Sequence, residues 1–323
     1  MADQATVVPA SPKTDSSIFV AGHRGLVGSA ILRCLENKKY SNLIVRTRQE
    51  LDLRDAVQVE DFFATHKPEF VLLTAAKVGG IVANDEYRGD FIRDNLLIQT
   101  HTIDAAKRHG TRKLVFLGST CIYPREAPQP MREDDILTGP LEPTNSAYAV
   151  AKIAGLEMIA AYRAQFGFNG ISIMPTNLYG PGDNFNLKTS HVLPALIRRF
   201  HEAKLAKIDS VTIWGTGAPL REFLHCDDLA DAAVWLMANY DGSQMLNVGT
   251  GKELSILHLA QLTAKVIGYE GKILTDPSKP DGTPRKLCDT TRLNALGWSP
   301  KIELEDGIRS TYDWYLNTPQ AAG

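Results

Sequence analysis

Short, mainly apolar runs alternate along the chain with longer amphipathic segments. The short runs predict strands at 17–21, 43–45, 70–73 and 114–117. Apolar residues at helical spacing predict helices at 29–37, 90–109 and 148–166. Strands that alternate with helices are typical of a parallel sheet covered on both faces. The pattern therefore predicts an α/β fold, a Rossmann-type doubly wound parallel sheet with a smaller mixed α/β domain.

Three glycines follow the first predicted strand. Gly22, Gly25 and Gly28 have the spacing G-x-x-G-x-x-G and lead into the predicted helix. Glycines at such a turn let the backbone approach a pyrophosphate, which then faces the helix N-terminus. The alternative is a purely structural turn, but the position between a strand and a helix favours dinucleotide binding.

The end of the second predicted strand indicates which dinucleotide is bound. Arg48 stands near the position where an NAD-binding protein carries an acidic residue for the ribose 2′-hydroxyl. A guanidinium suits a 2′-phosphate instead, because its planar fork binds phosphate through two hydrogen bonds. Arg48, assisted by Arg24 and His23, therefore predicts NADPH. The alternative is that these are solvated basic residues.

The chemistry is predicted around the fourth strand and the helix after it. Ser119 follows the run 114–117, at the carboxyl end of a buried strand. Tyr148 and Lys152 are four residues apart on a predicted helix and so share one face. An ammonium next to a phenol lowers its pKa, so we expect Lys152 to lower the pKa of Tyr148. Ser119 and Tyr148 can then polarise a carbonyl and donate the proton that balances a hydride.

Composition excludes several other classes of protein. The 323 residues carry a net charge of -2 with 22% charged residues, which does not suggest nucleic-acid or membrane-surface binding. The four cysteines lack C-x-x-C spacing, which favours reduced thiols and indicates no metal site. No signal peptide or membrane span is evident, so we expect a cytoplasmic protein.

The order of glycine turn, strand-end serine and Tyr-x-x-x-Lys resembles the extended short-chain dehydrogenase/reductase family, most of which act on nucleotide sugars. Five further motifs together resemble the GDP-L-fucose synthase family within it. They are GHRGLVGSA (22–30), AAKVGGI (75–81), STCIYP (119–124), MPTNLYGP (174–181) and REFLH (221–225). That family epimerises GDP-4-keto-6-deoxy-D-mannose at C3 and C5, and then reduces C4 with NADPH to give GDP-L-fucose.

The resemblance implies roles for residues that no local pattern identifies. Cys121 and His191 would be the acid–base pair for epimerisation, beside Ser119, Tyr148 and Lys152. The cofactor would contact Gly22, His23, Arg24, Gly25, Leu26, Val27, Gly28, Arg48, Lys152, Pro175, Asn177, Leu178 and His191. The substrate would contact Asn177, Arg199, Trp214, Arg221 and Asp281. The resemblance also implies a homodimer formed by the helices 90–109 and 148–166, although internal packing would explain their apolar faces equally well.

We therefore expect a disordered tail at 1–16, an NADP-binding Rossmann domain at 17–174 and a mainly substrate-binding part at 175–323 with segments that return to the Rossmann domain. In the helix that begins near residue 226, we expect Asp227 or Asp228 to be the cap. Two other functions stay open: a GDP-sugar epimerase that retains NAD, and a non-catalytic protein that senses NADPH.

Overall fold

The computed structural model describes residues 7–187, 189–279 and 281–318, which form twelve strands and ten α-helices. The strands are β1 Ile18–Ala21, β2 Leu43–Ile44, β3 Phe70–Leu73, β4 Lys113–Leu117, β5 Gly170–Pro175, β6 Asn177–Tyr179, β7 Ser210–Trp214, β8 Leu220–His225, β9 Leu246–Val248, β10 Glu253–Ser255, β11 Lys272–Asp276 and β12 Arg285–Lys286. The helices are α1 Leu26–Asn37, α2 Ala56–His66, α3 Ile81–Glu86, α4 Arg88–Arg108, α5 Ser146–Phe166, α6 Val192–Leu205, α7 Cys226–Asn239, α8 Ile256–Ile267, α9 Thr291–Ala295 and α10 Leu304–Asn317.

A six-stranded parallel sheet forms the centre of the fold, in the order β2-β1-β3-β4-β5-β9. Strands β1, β3, β4 and β5 are buried at every position. Parallel strands of this kind are mainly apolar, because helices cover both faces of the sheet. The predicted Rossmann-type sheet is confirmed.

Alternate residues of β1 show how the two faces are filled. Ile18 and Val20 lie in a core cluster with residues of α1 and α7, whereas Phe19 and Ala21 lie in a second cluster with residues of α2, α4 and α5. Successive strand side chains point to opposite faces, so one short strand anchors both layers. Each layer then holds one side of the glycine-rich turn that follows β1.

A third core cluster lies in the second half of the chain. It joins α6, α8 and α10 around side chains such as Phe200, Leu259 and Ile308. Strand β8 pairs with β6, β10 and β12, and β7 pairs with β11. Helix α7 and strand β9 instead belong to the central sheet and its helical layer.

Part of the segment 1–16, which we predict to be a disordered tail, contacts the folded chain. Ala10 is buried and its N–H donates to Asp241 Oδ1 at 3.3 Å, while Asn169 Nδ2 donates to the Val8 carbonyl at 3.2 Å. The buried Asn169 and the partly exposed Asp241 therefore both bind the backbone of this segment. Residues 1–6 of the predicted tail lie outside the described residues.

Among the residues that the structure describes, no helix combines the length and the apolar character needed to cross a membrane.

Candidate active site

The glycine-rich turn brings the start of α1 against the end of β1. Gly22 has a φ of +92°, and a Cβ there would lie 2.8 Å from Thr74 Oγ1. A Cβ at Gly28 would overlap the carbonyl of Gly22, whereas at Gly25 it would be 3.5 Å from that oxygen. Helix α1 begins at Leu26, three residues before the predicted start. The turn therefore leaves space for a phosphate in front of the first N–H groups of the helix.

Basic residues surround the outer side of this turn. Arg24 is exposed, and the Arg48 side chain is 69% exposed with only a 3.6 Å ion pair to Asp52. Arg46 is not available in the same way, because its guanidinium donates to the Val45 carbonyl at 2.8 Å. Burial and the charge of Arg24 lower the pKa of His23. Arg24 and Arg48 are therefore both accessible to solvent on the outer side of the turn.

Ser119, Cys121 and Tyr148 come together at the carboxyl end of β4. Ser119 has extended backbone and caps a short 3-10 helix, Thr120–Ile122, in which its Oγ accepts the Cys121 N–H at 3.3 Å. Tyr148, in the first turn of α5, lies close enough to the Ser119 side chain and to Cys121 for both to affect the pKa of its phenol. The strand end and the helix therefore present two hydroxyls and a thiol to one small volume.

The pKa relation that we predicted between Lys152 and Tyr148 is wrong in this structure. Burial raises the pKa of Tyr148, and Cys121 adds to the rise, while the hydrogen bond with Ser119 opposes it. Lys152 is 3% exposed, and burial lowers its own pKa to about 7. Its Nζ donates to the Leu117 carbonyl at 2.7 Å and lies 5.8 Å from the Tyr148 ring centroid. A buried ammonium at that distance does not offset the desolvation of the phenol.

His191 lies on a different loop, immediately before α6. It is the N-cap residue, yet its side chain makes no capping hydrogen bond. The residue is exposed, yet the protein atoms around the imidazole lower its pKa by desolvation. The lowered pKa biases the imidazole towards its neutral form.

The predicted substrate residues form two groups. Arg199 on α6 lies 6.0 Å from the ring centroid of Trp214, whose ring is 58% exposed at the end of β7. Arg221 on β8 donates to the Leu220 carbonyl at 2.8 Å, and burial lowers its pKa. Asn177 on the neighbouring β6 donates to the Glu222 carbonyl at 2.8 Å. Guanidinium groups near an exposed aromatic ring can bind a nucleoside diphosphate.

Asp281 also has a structural contact that the sequence did not predict. Its carboxylate accepts the Thr216 N–H at 2.7 Å and the Thr216 hydroxyl at 2.9 Å. A Cβ at Gly215 would overlap the same carboxylate, so this glycine allows the contact. Asp281 therefore fixes the turn after Trp214, whatever contact it makes with a substrate.

Sequence reasoning missed two residues at this site. Lys279 Nζ lies 6.0 Å from the Trp214 ring centroid, which adds a second cation to Arg199. Glu222 is fully buried and accepts the N–H groups of Thr250 and Cys288. The signal that could have identified Glu222 was an acidic residue in a strand that is mainly apolar towards its end. No local signal identified Lys279.

The expected cap of α7 was wrong. His225 Nδ1 accepts the N–H of Asp227 at 3.2 Å and is the N-cap, while Asp228 accepts the N–H of Ile302 at 2.9 Å. Ligand atoms of His225, Cys226 and Asp227 lie within 4.8 Å of one another. The Arg33 guanidinium pairs with Asp227 at 2.6 Å, and its positive charge disfavours a metal cation in this cluster.

Comparison with known proteins relates this geometry to one family. The family model described as NAD dependent epimerase/dehydratase matches residues 18–249. GDP-L-fucose synthase 1 of Arabidopsis thaliana is 58% identical over 93% of this chain and 93% of the relative. GDP-L-fucose synthase of Escherichia coli (strain K12) is 53% identical over 93% of this chain and 96% of the relative.

A solved structure is similar over the same extent. MlghC, a GDP-mannoheptose C4 reductase from Campylobacter jejuni with NADP bound, has a TM-score of 0.88 and 38% identity, covering 95% of this chain and 100% of the other. The motifs, the site geometry and the relatives agree, and the chain belongs to the GDP-L-fucose synthases of the NAD dependent epimerase/dehydratase family.

Proposed function

We propose that the protein converts GDP-4-keto-6-deoxy-D-mannose to GDP-L-fucose, by epimerisation at C3 and C5 followed by reduction at C4. The observation that carries the proposal is the placement of the Ser119 and Tyr148 side chains beside the Cys121 thiol at the end of β4. Both half-reactions depend on one ketone, because the protons on C3 and C5 are acidic only while the C4 oxygen is polarised. A single pair of hydroxyls can therefore serve both.

NADPH is the cofactor in this proposal, and the residues fit it. The space in front of α1 at Gly25 suits a pyrophosphate, and the exposed Arg24 and Arg48 suit the 2′-phosphate. Lys152 has one N–H engaged by the Leu117 carbonyl and two left for the cofactor ribose. Pro175, Asn177 and Leu178, at the junction of β5 and β6, are proposed to contact the nicotinamide end. The cofactor supplies the hydride to C4.

Tyr148 is the proposed acid of the reduction. Because burial raises its pKa, the phenol keeps its proton at neutral pH until charge develops on the C4 oxygen. Ser119 donates to the same oxygen, so both hydroxyls converge on the atom that receives the proton from Tyr148. The lowered pKa of Lys152, about 7, keeps the number of buried positive charges small before the anionic cofactor binds.

Cys121 and His191 are the proposed acid–base pair of the epimerisations. Epimerisation needs one group that removes a proton and another that returns one to the opposite face of the carbon. Cys121 lies at the end of β4 in the Rossmann domain, and His191 begins the first helix of the substrate-binding part. Two groups on separate elements can approach a sugar from opposite sides, which one cluster could not do.

The GDP moiety is proposed to bind at the end of β7 and along β8. Arg199, Arg221 and Lys279 offer three cations for the diphosphate, and the exposed Trp214 ring offers a surface for stacking. Burial lowers the pKa of Arg221 because it removes water from the guanidinium, and the negative charge of a bound diphosphate would compensate for that loss of hydration. Asn177 and Asp281 are proposed to contact the sugar end.

We also propose that the protein is a cytoplasmic homodimer. Helices α4 and α5 are 21 residues long each and pack side by side, so a second copy could add two more helices to the pair. The four cysteines are free, as expected for a reducing compartment. Light scattering on the purified protein tests whether it is a homodimer, and we expect twice the chain mass of 35.5 kDa.

The test of the proposed function is a turnover assay with purified protein, NADPH and GDP-4-keto-6-deoxy-D-mannose. Stoichiometric oxidation of NADPH with GDP-L-fucose as the product is expected. Conversion of the sugar without net oxidation would favour an epimerase that retains its cofactor. NADPH binding without turnover of any keto sugar would favour the sensor.

A further inference from the structure

The segment in front of His191 rests on a glycine of the Rossmann domain. Gly80 N–H donates to the Thr189 carbonyl at 3.4 Å. A Cβ added to Gly80 would lie 3.3 Å from both the Thr189 and the Ser190 carbonyl oxygens. The two peptide units that precede His191 therefore sit against backbone that carries no side chain.

Asn84 holds this glycine in place. Its side-chain Nδ2 donates to the carbonyls of Gly79 at 2.6 Å and Gly80 at 3.1 Å, and its own N–H donates to Gly80 at 3.1 Å. Asn84 is 8% exposed, so these bonds are shielded from water. On the other side of the turn, Asn95 of α4 bonds both the N–H and the carbonyl of Lys77, each at 3.0 Å. The turn is thus fixed at both ends by a buried asparagine.

His191 itself has less support. Its ring makes no capping bond, and the N–H groups of Thr189 and Ser190 donate to the Asn186 carbonyl at 3.1 and 2.8 Å, while Asn184 Nδ2 donates to the Thr189 hydroxyl at 2.9 Å. Because no side-chain bond sets the orientation of the ring within the described residues, the position of its backbone decides where the ring lies. The contact with Gly80 joins that backbone to the domain that carries Cys121.

We propose that Asn84 and Gly80 are positioning residues for His191, and that they set the distance over which His191 exchanges a proton with the sugar. This inference rests on the role of His191 in the proposed function. Neither residue touches the reacting atoms in this account. They act through the Thr189–Ser190 backbone.

Gly80→Ala tests this directly, because Gly80 has extended backbone with φ −66° and ψ 178° that alanine adopts without strain. Its methyl group would press on the two carbonyls and move the His191 segment by a few tenths of an ångström. Gly89→Ala is the matched control, since a Cβ there meets nothing within 4 Å. Asn84→Ala is the second variant, and it removes the support without adding bulk.

Three measurements are made on the wild type and the three variants. They are deuterium incorporation from D2O into the keto sugar, NADPH affinity, and the pKa of His191 from NMR of histidine-labelled protein assigned with His191→Gln. For Gly80→Ala and Asn84→Ala we expect exchange to fall about tenfold or more, NADPH affinity to stay within about twofold, and the pKa of His191 to shift. Gly89→Ala should match the wild type in all three.

The inference is overturned if Gly80→Ala keeps wild-type exchange and an unchanged pKa of His191. It is also overturned if exchange and NADPH affinity fall together, since the turn would then act on the cofactor. Failure of the proposed function is a separate result: the wild type itself would not exchange the sugar protons. In that case the pKa of His191 in the variants still decides whether Gly80 positions His191, because the NMR measurement needs no turnover.

Discussion

The substitution Glu222→Gln should destabilise the protein although it changes only one atom of the side chain. Glu222 is fully buried, and its Oε1 accepts the N–H groups of Thr250 at 2.6 Å and Gly251 at 2.7 Å. Its Oε2 accepts the Cys288 N–H at 2.9 Å. Three backbone donors from two separate loops therefore converge on one carboxylate, and β8 carries it between them.

The size of the effect follows from these bonds. A glutamine can keep its oxygen towards Thr250 and Gly251, but its NH2 group then faces the Cys288 N–H. A charge-assisted hydrogen bond is therefore replaced by two N–H donors that point at each other. Loss of such a bond together with an unsatisfied buried group costs about 2–4 kcal/mol. For a chain of 323 residues, with an unfolding entropy of about 2.1 cal/mol/K per residue, that corresponds to a fall in Tm of roughly 3–6 °C. Because Glu222 follows Arg221 and bonds to Asn177 through its carbonyl, KM for the nucleotide sugar should rise more than KM for NADPH.

Thermal unfolding and steady-state kinetics measure the two effects. Glu126→Gln is the control, since its side chain is 79% exposed and its ion pair with Arg125 is weak at 3.4 Å. A Tm for Glu222→Gln within about 1 °C of the Glu126→Gln value would refute the reasoning, because the buried bonds would then contribute nothing.

Three further predictions concern the chemistry. Cys121→Ser should reduce deuterium incorporation into the sugar by about 100-fold and leave NADPH affinity unchanged; wild-type incorporation would remove its role. Arg48→Ala should raise KM for NADPH about tenfold and leave KM for NADH unchanged, and equal effects on both would exclude a 2′-phosphate contact. Lys152 has a folded-state pKa of about 7, below its unfolded value, so between these values the unfolded state binds more protons and the free energy of unfolding should rise with pH. Lys152→Met should lose this rise, which is up to about 1.4 kcal/mol per pH unit, and should also lose reductase activity. Urea titrations from pH 7 to 10 measure the free energy of unfolding, and a slope against pH equal to that of the wild type would contradict the assignment of the rise to Lys152.

Local features of the site could be predicted from the sequence. The glycine turn, the serine at the end of β4 and the Tyr148–Lys152 spacing each depend on a few consecutive residues, and the fold follows from the same apolar runs. The predicted start of the first helix at residue 29 is three residues too late, because the helix already begins at Leu26, inside the glycine-rich turn. Gly25, which has no side chain to cap with, is the N-cap.

The features that could not be predicted depend on residues far apart in the chain. Asp241 and Asn169, which hold residues 7–16, lie far from that segment in sequence. The lowered pKa of Lys152 depends on how deeply the folded chain buries it, which no spacing reveals. The cap of α7 was predicted from residue preference, which favours aspartate. The buried His225 makes that bond, while Asp228 accepts from the chain near residue 302.

The central claim is that one ketone-polarising pair serves both epimerisation and reduction, and Tyr148→Phe tests it most directly. The variant keeps the ring and removes the hydroxyl that lies beside Ser119. We predict that deuterium incorporation into GDP-4-keto-6-deoxy-D-mannose and NADPH oxidation both fall, while NADPH still binds. Wild-type deuterium incorporation with loss of oxidation alone would contradict the account, because the epimerisations would then use a different group to polarise the C4 oxygen.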